Sequence, residues 1–409
     1  MQAARLECVS CGTTFPGSEE RFACDACGGG IRVVLEMQGL DFGELRARWR
    51  DRPFRLWRYR ELLPVTGEGV SLEEGGTPLL RIGLLRDVAE DVLVFAKNEG
   101  NNPTGSFKDR GMTVGVTRAR NLGRTRVICA STGNTAASLA AYAARAGMEC
   151  IVLVPSGGIA KGKLAQALFN GARVVVLRGT FDDAMRIVLD LSERLEAYVL
   201  NSINPYRIEG QKTAAFEVFE QLGGIVPDWV VCPVGNGGNL AAYWKGFEEL
   251  FRLRAIGRLP RLVGVQASGA APIADAILEG REAIEPVPDP TTVASAIRIG
   301  NPANWRKTMH AIRESDGLAI KLPDAAILEA QSLLARREGL FVEPASAASL
   351  AGALHLAKAG QFERGERVVC VCTGHGLKDP DAALRAFPEI PPIEPTVEAI
   401  AAAVARGPT

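Results

Sequence analysis

The chain has 409 residues, of which 47% are hydrophobic and 23% charged, with 44 glycines, the composition of a folded globular protein rather than a disordered or collagen-like one. Forty-seven basic residues balance 47 acidic ones, so net charge gives no reason to expect nucleic acid or an anionic membrane as partner. No apolar run is long enough to span a bilayer, and the first residues lead into cysteines without an apolar signal core, which predicts a cytoplasmic protein of two or three compact units.

Four of the nine cysteines form two C-x-x-C pairs, Cys8 with Cys11 and Cys24 with Cys27, and three glycines close the second pair. Four thiolates at this spacing can surround one zinc ion tetrahedrally with no open position for catalysis, so residues 1–45 are expected to form a structural zinc ribbon. The other five cysteines sit singly in apolar runs, a pattern that fits a reducing compartment better than a disulfide framework. Ribbons of this kind often bind nucleic acid, but no basic patch with interleaved aromatics lies nearby. Residues 46–60 are rich in Arg and carry Trp49, Trp57 and Tyr59, which predicts a helix packing its aromatics on the next domain.

Beyond Gly75-Gly76-Thr77-Pro78 the chain alternates strand and helix signals. Continuous Val/Ile/Cys runs at 93–97, 126–130, 150–154, 173–177, 229–233, 262–266 and 368–372 predict strands, with helices from the Lys108 loop to about 122 and at 134–145, 161–169 and 181–195. Such pairs of apolar strand and helix indicate parallel sheets covered on both faces. The expected class is therefore α/β with two doubly wound domains, a large one from 46–107 and 200–409 and a small one from 108–199. A proline-rich stretch at 388–395 is expected to lead into a last helix at 397–406.

In open parallel sheets ligands bind on loops at the carboxyl ends of strands, and four motifs fall there. Lys108 follows the turn Asn102-Pro103-Thr104-Gly105 and opens a helix, where unpaired N–H groups and the helix dipole favour the neutral amine, a nucleophile for carbonyl compounds. Ser131-Thr132-Gly133-Asn134-Thr135 places more polar groups at one helix N-terminus than capping needs, as a carboxylate or phosphate site would. Gly235-Asn236-Gly237-Gly238-Asn239 lets the backbone approach a phosphate closely, yet lacks the spacing of a Walker A or dinucleotide loop. In Cys372-Thr373-Gly374-His375-Gly376, Thr373 can hydrogen-bond a heterocyclic nitrogen without protonating it, and His375 reads as structural.

In this order the four stretches resemble the fold-type II pyridoxal phosphate enzymes, the tryptophan synthase β family, and the run from Asn102 to Gly111 is most similar to threonine synthases, some of which carry a comparable ribbon. The resemblance implies that Lys108 binds pyridoxal 5′-phosphate as a Schiff base, Asn134 its 3′-oxygen, Gly235, Asn236, Gly237, Gly238 and Asn239 its phosphate, and that Thr373 faces its ring nitrogen. It implies that O-phospho-L-homoserine and water give L-threonine and phosphate, with Ser131, Thr132 and Thr135 on the substrate carboxylate. Asn201, Ser202 and Arg207 would take the substrate phosphate, in a segment that by itself reads as a polar strand end and helix cap. Arg298 gains no role beyond packing or ion pairing. Cysteate synthase-like replacement on O-phosphoserine, a threonine or serine dehydratase, and a nucleic-acid-binding ribbon on a dead scaffold are the alternatives. A homodimer is the expected assembly.

Overall fold

The computed structural model describes residues 4–156, 161–380 and 391–405; residues 388–390 of the proline-rich stretch and Arg406 lie outside them. At the N-terminus β1 (Ala4–Cys8) pairs antiparallel with β2 (Thr14–Pro16) and β3 (Ile31–Leu35). Alternation along β3 buries Ile31, Val33 and Leu35 and turns Arg32 outward, as the two-residue period of a strand requires. Helix α1 (Phe42–Arg50) starts at Asp41, whose carboxylate accepts from the Glu44 N–H at 2.9 Å.

The single helix expected at 46–60 is two pieces. Pro53 disfavours helical backbone at Arg52, so α1 ends and the chain resumes as a 3-10 turn at Leu56–Leu62. The aromatic part of the expectation stands. Trp49 meets Tyr59 edge-on at 4.9 Å, and both pack on Phe216. Trp57 donates its Nε1 proton to Glu74 and Thr113, each at 3.0 Å.

Two sheets follow. The larger contains β4 (Leu79–Ile82), β5 (Leu93–Asn98), β10 (Trp229–Pro233), β11 (Arg261–Ala267), β12 (Leu318–Leu322) and β13 (Arg367–Cys372), in the order β12-β11-β10-β13-β5-β4. Only edge strand β4 runs antiparallel. The smaller sheet, β8-β7-β6-β9, is parallel throughout and contains β6 (Arg126–Ala130), β7 (Glu149–Pro155), β8 (Arg173–Leu177) and β9 (Ala197–Val199). Its helices are α2 (Lys108–Asn121), α3 (Asn134–Ala146), α4 (Lys161–Phe169) and α5 (Phe181–Leu195). The larger sheet is wrapped by α6 (Pro205–Gln211), α7 (Thr213–Gln221), α8 (Gly238–Arg252), α9 (Pro272–Leu278), α10 (Trp305–Glu314), α11 (Asp324–Glu338) and α12 (Pro344–Lys358), and α13 (Val397–Ala405) comes last. Strands β4, β9 and β12 are absent from the sequence reading. β9 has three residues, and Lys321 interrupts the apolar run of β12.

Helices α2 and α6 cross where glycines permit it. A methyl group on Gly210 would lie 1.7 Å from the Arg110 carbonyl oxygen, and one on Gly111 3.0 Å from that of Arg207. At this crossing Arg110 is wholly buried between two carboxylates. It donates to Glu99 at 2.6 and 2.8 Å and to Glu217 at 2.6 and 2.7 Å, while Lys97 donates to Glu217 at 2.7 Å. Burial alone would raise the Glu217 carboxyl, but the charges of Arg110 and Lys97 hold it down at about 2. Removing the guanidinium strands two buried carboxylates, so Arg110→Met should cost about 3–5 kcal/mol, read as a lower urea midpoint; an unchanged midpoint would contradict this account.

Candidate active site

The segments after β6, β10 and β13 open together on one cleft of about 820 Å³, which Lys108 also lines. Lys108 is the first residue of α2, and its Nζ lies 4.1 Å over the Phe107 ring. Among the described residues the amine has no hydrogen-bond partner. Burial and then the charge of Arg207 push it down to about 7, with Glu343 opposing them. Enclosure and a neighbouring guanidinium thus both favour the neutral amine.

The next residue anchors the lysine's turn. Asp109 accepts from the Thr104 backbone at 2.7 Å and hydroxyl at 2.6 Å, and from Ser138 of α3 at 2.5 Å. Asp109 thereby ties the loop and the second helix to the base of α2.

Asn134 opens α3, which no side chain caps, and Gly133, Asn134 and Thr135 at its head line the cleft. Ser131 is occupied with its own turn, accepting from the Gly133 N–H at 3.1 Å; Thr132 and Thr135 line the cleft beside it. The Asn134 amide donates to both oxygens of Glu343, at 3.2 and 3.1 Å, and its own Oδ1 is buried without a partner among the described residues. Glu343 is a site residue absent from the sequence reading. The signal was there: a lone carboxylate before Pro344 heads a helix that is otherwise small and apolar. Thr373 shares its hydroxyl with Ser346 at 3.0 Å and lies 3.5 Å from Glu343. His375 accepts from the Leu377 N–H through Nδ1 at 3.1 Å, a turn-holding role.

At the head of α8 the backbone of Gly237 has φ +80°, and a methyl group there would lie 2.0 Å from the Thr308 hydroxyl. No side chain caps this helix either. Gly235, Asn236, Gly238 and Asn239 line the same cleft. The Asn236 side chain faces away from this task, accepting from the Ala303 N–H at 3.2 Å, whereas Asn239 Nδ2 is buried without a partner among the described residues.

Arg207, Asn201 and Ser202 also line the cleft. Among the described residues Arg207 has one hydrogen bond, to the Leu200 carbonyl at 3.3 Å, and its Nε is buried without a partner. Burial lowers the guanidinium to about 10, still charged at neutral pH. The Asn201 amide is bound to the Ala130 backbone on both sides, accepting at 3.0 Å and donating at 2.8 Å. It frames the cleft more than it fills it. Arg298 stands exposed at the mouth.

Residues 70–374 match the family of pyridoxal-phosphate dependent enzymes. The chain is 52% identical over 384 residues to the threonine synthase of Methanocaldococcus jannaschii, across 93% of this chain and 95% of that protein. With the threonine synthase of Methanosarcina acetivorans it shares 48% identity over 401 residues, 98% of each chain. The chain belongs to the threonine synthases. Its activity is pyridoxal-phosphate-dependent threonine synthesis. The fold of this threonine synthase family member is similar to that of the threonine deaminase of T.th., with 27% identity, a TM-score of 0.61, and coverage of 82% of this chain and 98% of that one.

The four ribbon cysteines can hold a metal ion, since their Sγ atoms all lie within 4.8 Å of one another. Two equivalent turns present them: the Gly12 N–H donates to the Cys8 carbonyl at 3.1 Å, and the Gly28 N–H to the Cys24 carbonyl at 2.8 Å. Among the described residues no helix is long and apolar enough to cross a membrane.

A lowered lysine is neutral above its own midpoint, so cofactor-free protein should take up pyridoxal phosphate at a rate that rises with pH through about 7 and levels above it. A stopped-flow midpoint near the ordinary 10.5 would contradict the enclosure of Lys108.

Proposed function

We propose that the chain converts O-phospho-L-homoserine and water to L-threonine and phosphate. The observation that carries this reading is a cleft with two different cations, a lysine that is easily neutral and an arginine that stays charged. The cofactor's three recognisable parts each find a complementary group. Its aldehyde suits the Lys108 amine, its 3′-oxygen the Asn134 amide, whose N–H groups it would share with Glu343, and its phosphate the uncapped head of α8 with Gly235, Asn236, Gly237, Gly238 and Asn239. Thr373 suits the ring nitrogen because a hydroxyl can meet it without supplying a full proton.

Pyridoxal phosphate, when bound, supplies an electron sink for charge developing at the substrate's Cα. The chain's own residues do the rest. Lys108, released by the incoming substrate, removes the Cα proton and then one from Cβ, tasks suited to an amine poised near neutral pH. Arg207 and Ser202 bind the γ-phosphate, and Asn201 keeps at most one amide hydrogen for it. Arg207 offers a planar fork of donors that matches phosphate oxygens. Ser131, Thr132 and Thr135 with the α3 N–H groups receive the carboxylate, which fixes the Cα–H bond toward Lys108. Protonation at Cγ follows departure of phosphate, water adds its hydroxyl at Cβ beside the phosphate still held by Arg207, and Lys108 returns a proton to Cα.

Zinc is the metal that four thiolates at this spacing suit best, in a structural role. We read residues 108–199 as a small domain beside a large one, and the assembly as a cytoplasmic homodimer. The compartment accords with nine cysteines that are all free thiols.

Lys108→Ala should release no phosphate from phosphohomoserine and show no borohydride-sensitive visible band; turnover at the parental rate would refute the assignment. Losing charge-assisted bonds worth about 1.5–3 kcal/mol, Arg207→Ala should lower kcat/KM for phosphohomoserine roughly 10- to 100-fold. Undiminished turnover there would point to a dehydratase. Metal analysis should find one zinc per chain, lost in Cys8→Ser with Cys24→Ser.

A further inference from the structure

Among the described residues none of the ribbon lines the cleft, yet the ribbon's backbone is joined to it by a short path of hydrogen bonds. Ile31 of β3 stands opposite Cys8 in the ribbon sheet. Its carbonyl accepts from Lys307 Nζ of α10 at 2.7 Å, and the same ammonium donates to Asn304 Oδ1 at 3.2 Å. Asn304, itself buried, then reaches two segments that line the cleft. Its Nδ2 donates to the Ser202 carbonyl at 3.0 Å, and its backbone N–H donates to the Asn236 carbonyl at 3.0 Å. The turn fits tightly against it, since a methyl group on Gly238 would lie 3.3 Å from Asn304 Nδ2.

Stability does not explain a lysine at 307. Its ammonium meets carbonyl and amide oxygens but no carboxylate in an ion pair among the described residues, and burial pushes the amine down to about 8 against the pull of Glu209. A cation held this way forgoes the partner that normally offsets desolvation. Lys245 of α8, by contrast, reaches the neighbouring Val33 carbonyl at 2.8 Å while paired with Glu209 and Glu249. Attachment of the ribbon is thus already provided by a well-neutralised lysine. What Lys307 adds is the bond to Asn304.

We propose that Lys307 is a positioning residue that fastens Asn304, and through it the turn at 236–238 and the Ser202 carbonyl, to the backbone of the four-cysteine ribbon. This rests on the reading that the glycine turn holds the cofactor's phosphate. The ribbon then sets the geometry of a site it never touches. Loss of either hydrogen bond leaves Asn304 free to turn its amide, and the turn loses the support that keeps its N–H groups convergent.

The test is a pyridoxal phosphate titration of full-length protein followed by the visible band. Lys307→Met, which keeps length and loses the donors, should weaken cofactor binding roughly ten-fold, the value of about one hydrogen bond. Lys307→Arg should recover most of that loss. Asn304→Ala should weaken binding at least as much, and adding Lys307→Met to it should cost less than a further two-fold. Should Lys307→Met fail to fold, Lys307→Gln, too short to reach Ile31, serves in its place. Gly237→Ala separates the two readings. If it weakens binding while Lys307→Met matches the parent, or if the Lys307 and Asn304 losses simply add, the relay is overturned and the cradle stands. If Gly237→Ala also binds like the parent, the cradle reading falls first.

Discussion

A guanidinium locked between two buried carboxylates is the constraint on which the rest of the molecule depends. Arg110 commits its fork to Glu99 and Glu217, with Thr77 and Thr213 taking further protons. Breaking such a group is costly because each partner left behind is a charge without water. Successive helical residues point about 100° apart. With Arg110 held toward the larger sheet and Asp109 toward α3, the direction left for Lys108 is the cleft. Glu217 also accepts from the Gly76 N–H at 2.8 Å, so the same carboxylate fixes the segment entering β4.

Two groups of enclosed charges in this protein receive opposite treatment. Arg110, Glu99, Glu217, Lys97, Lys212, Glu209 and Glu249 are buried and paired. Lys108 and Arg207 are enclosed but left short of partners, and the charge of Arg207 lowers the tendency of Lys108 to hold a proton. Uncompensated enclosure of this kind opposes folding, and natural chains accept it where ligands later supply the missing partners. The contrast between the two populations locates the chemistry more sharply than the cleft's shape does.

Much of this was legible in the order of residues. Lys108, the hydroxyl-rich head of α3 and the glycine turn before α8 all follow apolar runs that could only be buried strands, and local chemistry placed them at strand ends. The sheet pairings themselves, and the residues that act across them, were not legible. Glu343 meets Asn134 across 209 positions of chain and Lys307 meets Ile31 across 276, distances over which no local pattern carries information. The break at Pro53 was readable from steric rules, yet the continuous run of aromatics and arginines outweighed it. For Lys108 the enclosure was not legible, because groups such as Arg207 and Glu343 reach it from distant parts of the chain.

The doubly bonded Asn201 side chain has a mechanical consequence. By gripping both the N–H and the carbonyl of Ala130, it extends the β6–β9 ladder one rung past the end of β9. The crossing from the smaller sheet to the larger therefore begins only after Asn201, leaving Ser202 and Ile203 as the short stretch before α6. Ser202 is therefore suspended between two fixed points, Asn201 clamped to the smaller sheet and Asn304, whose Nδ2 holds the Ser202 carbonyl.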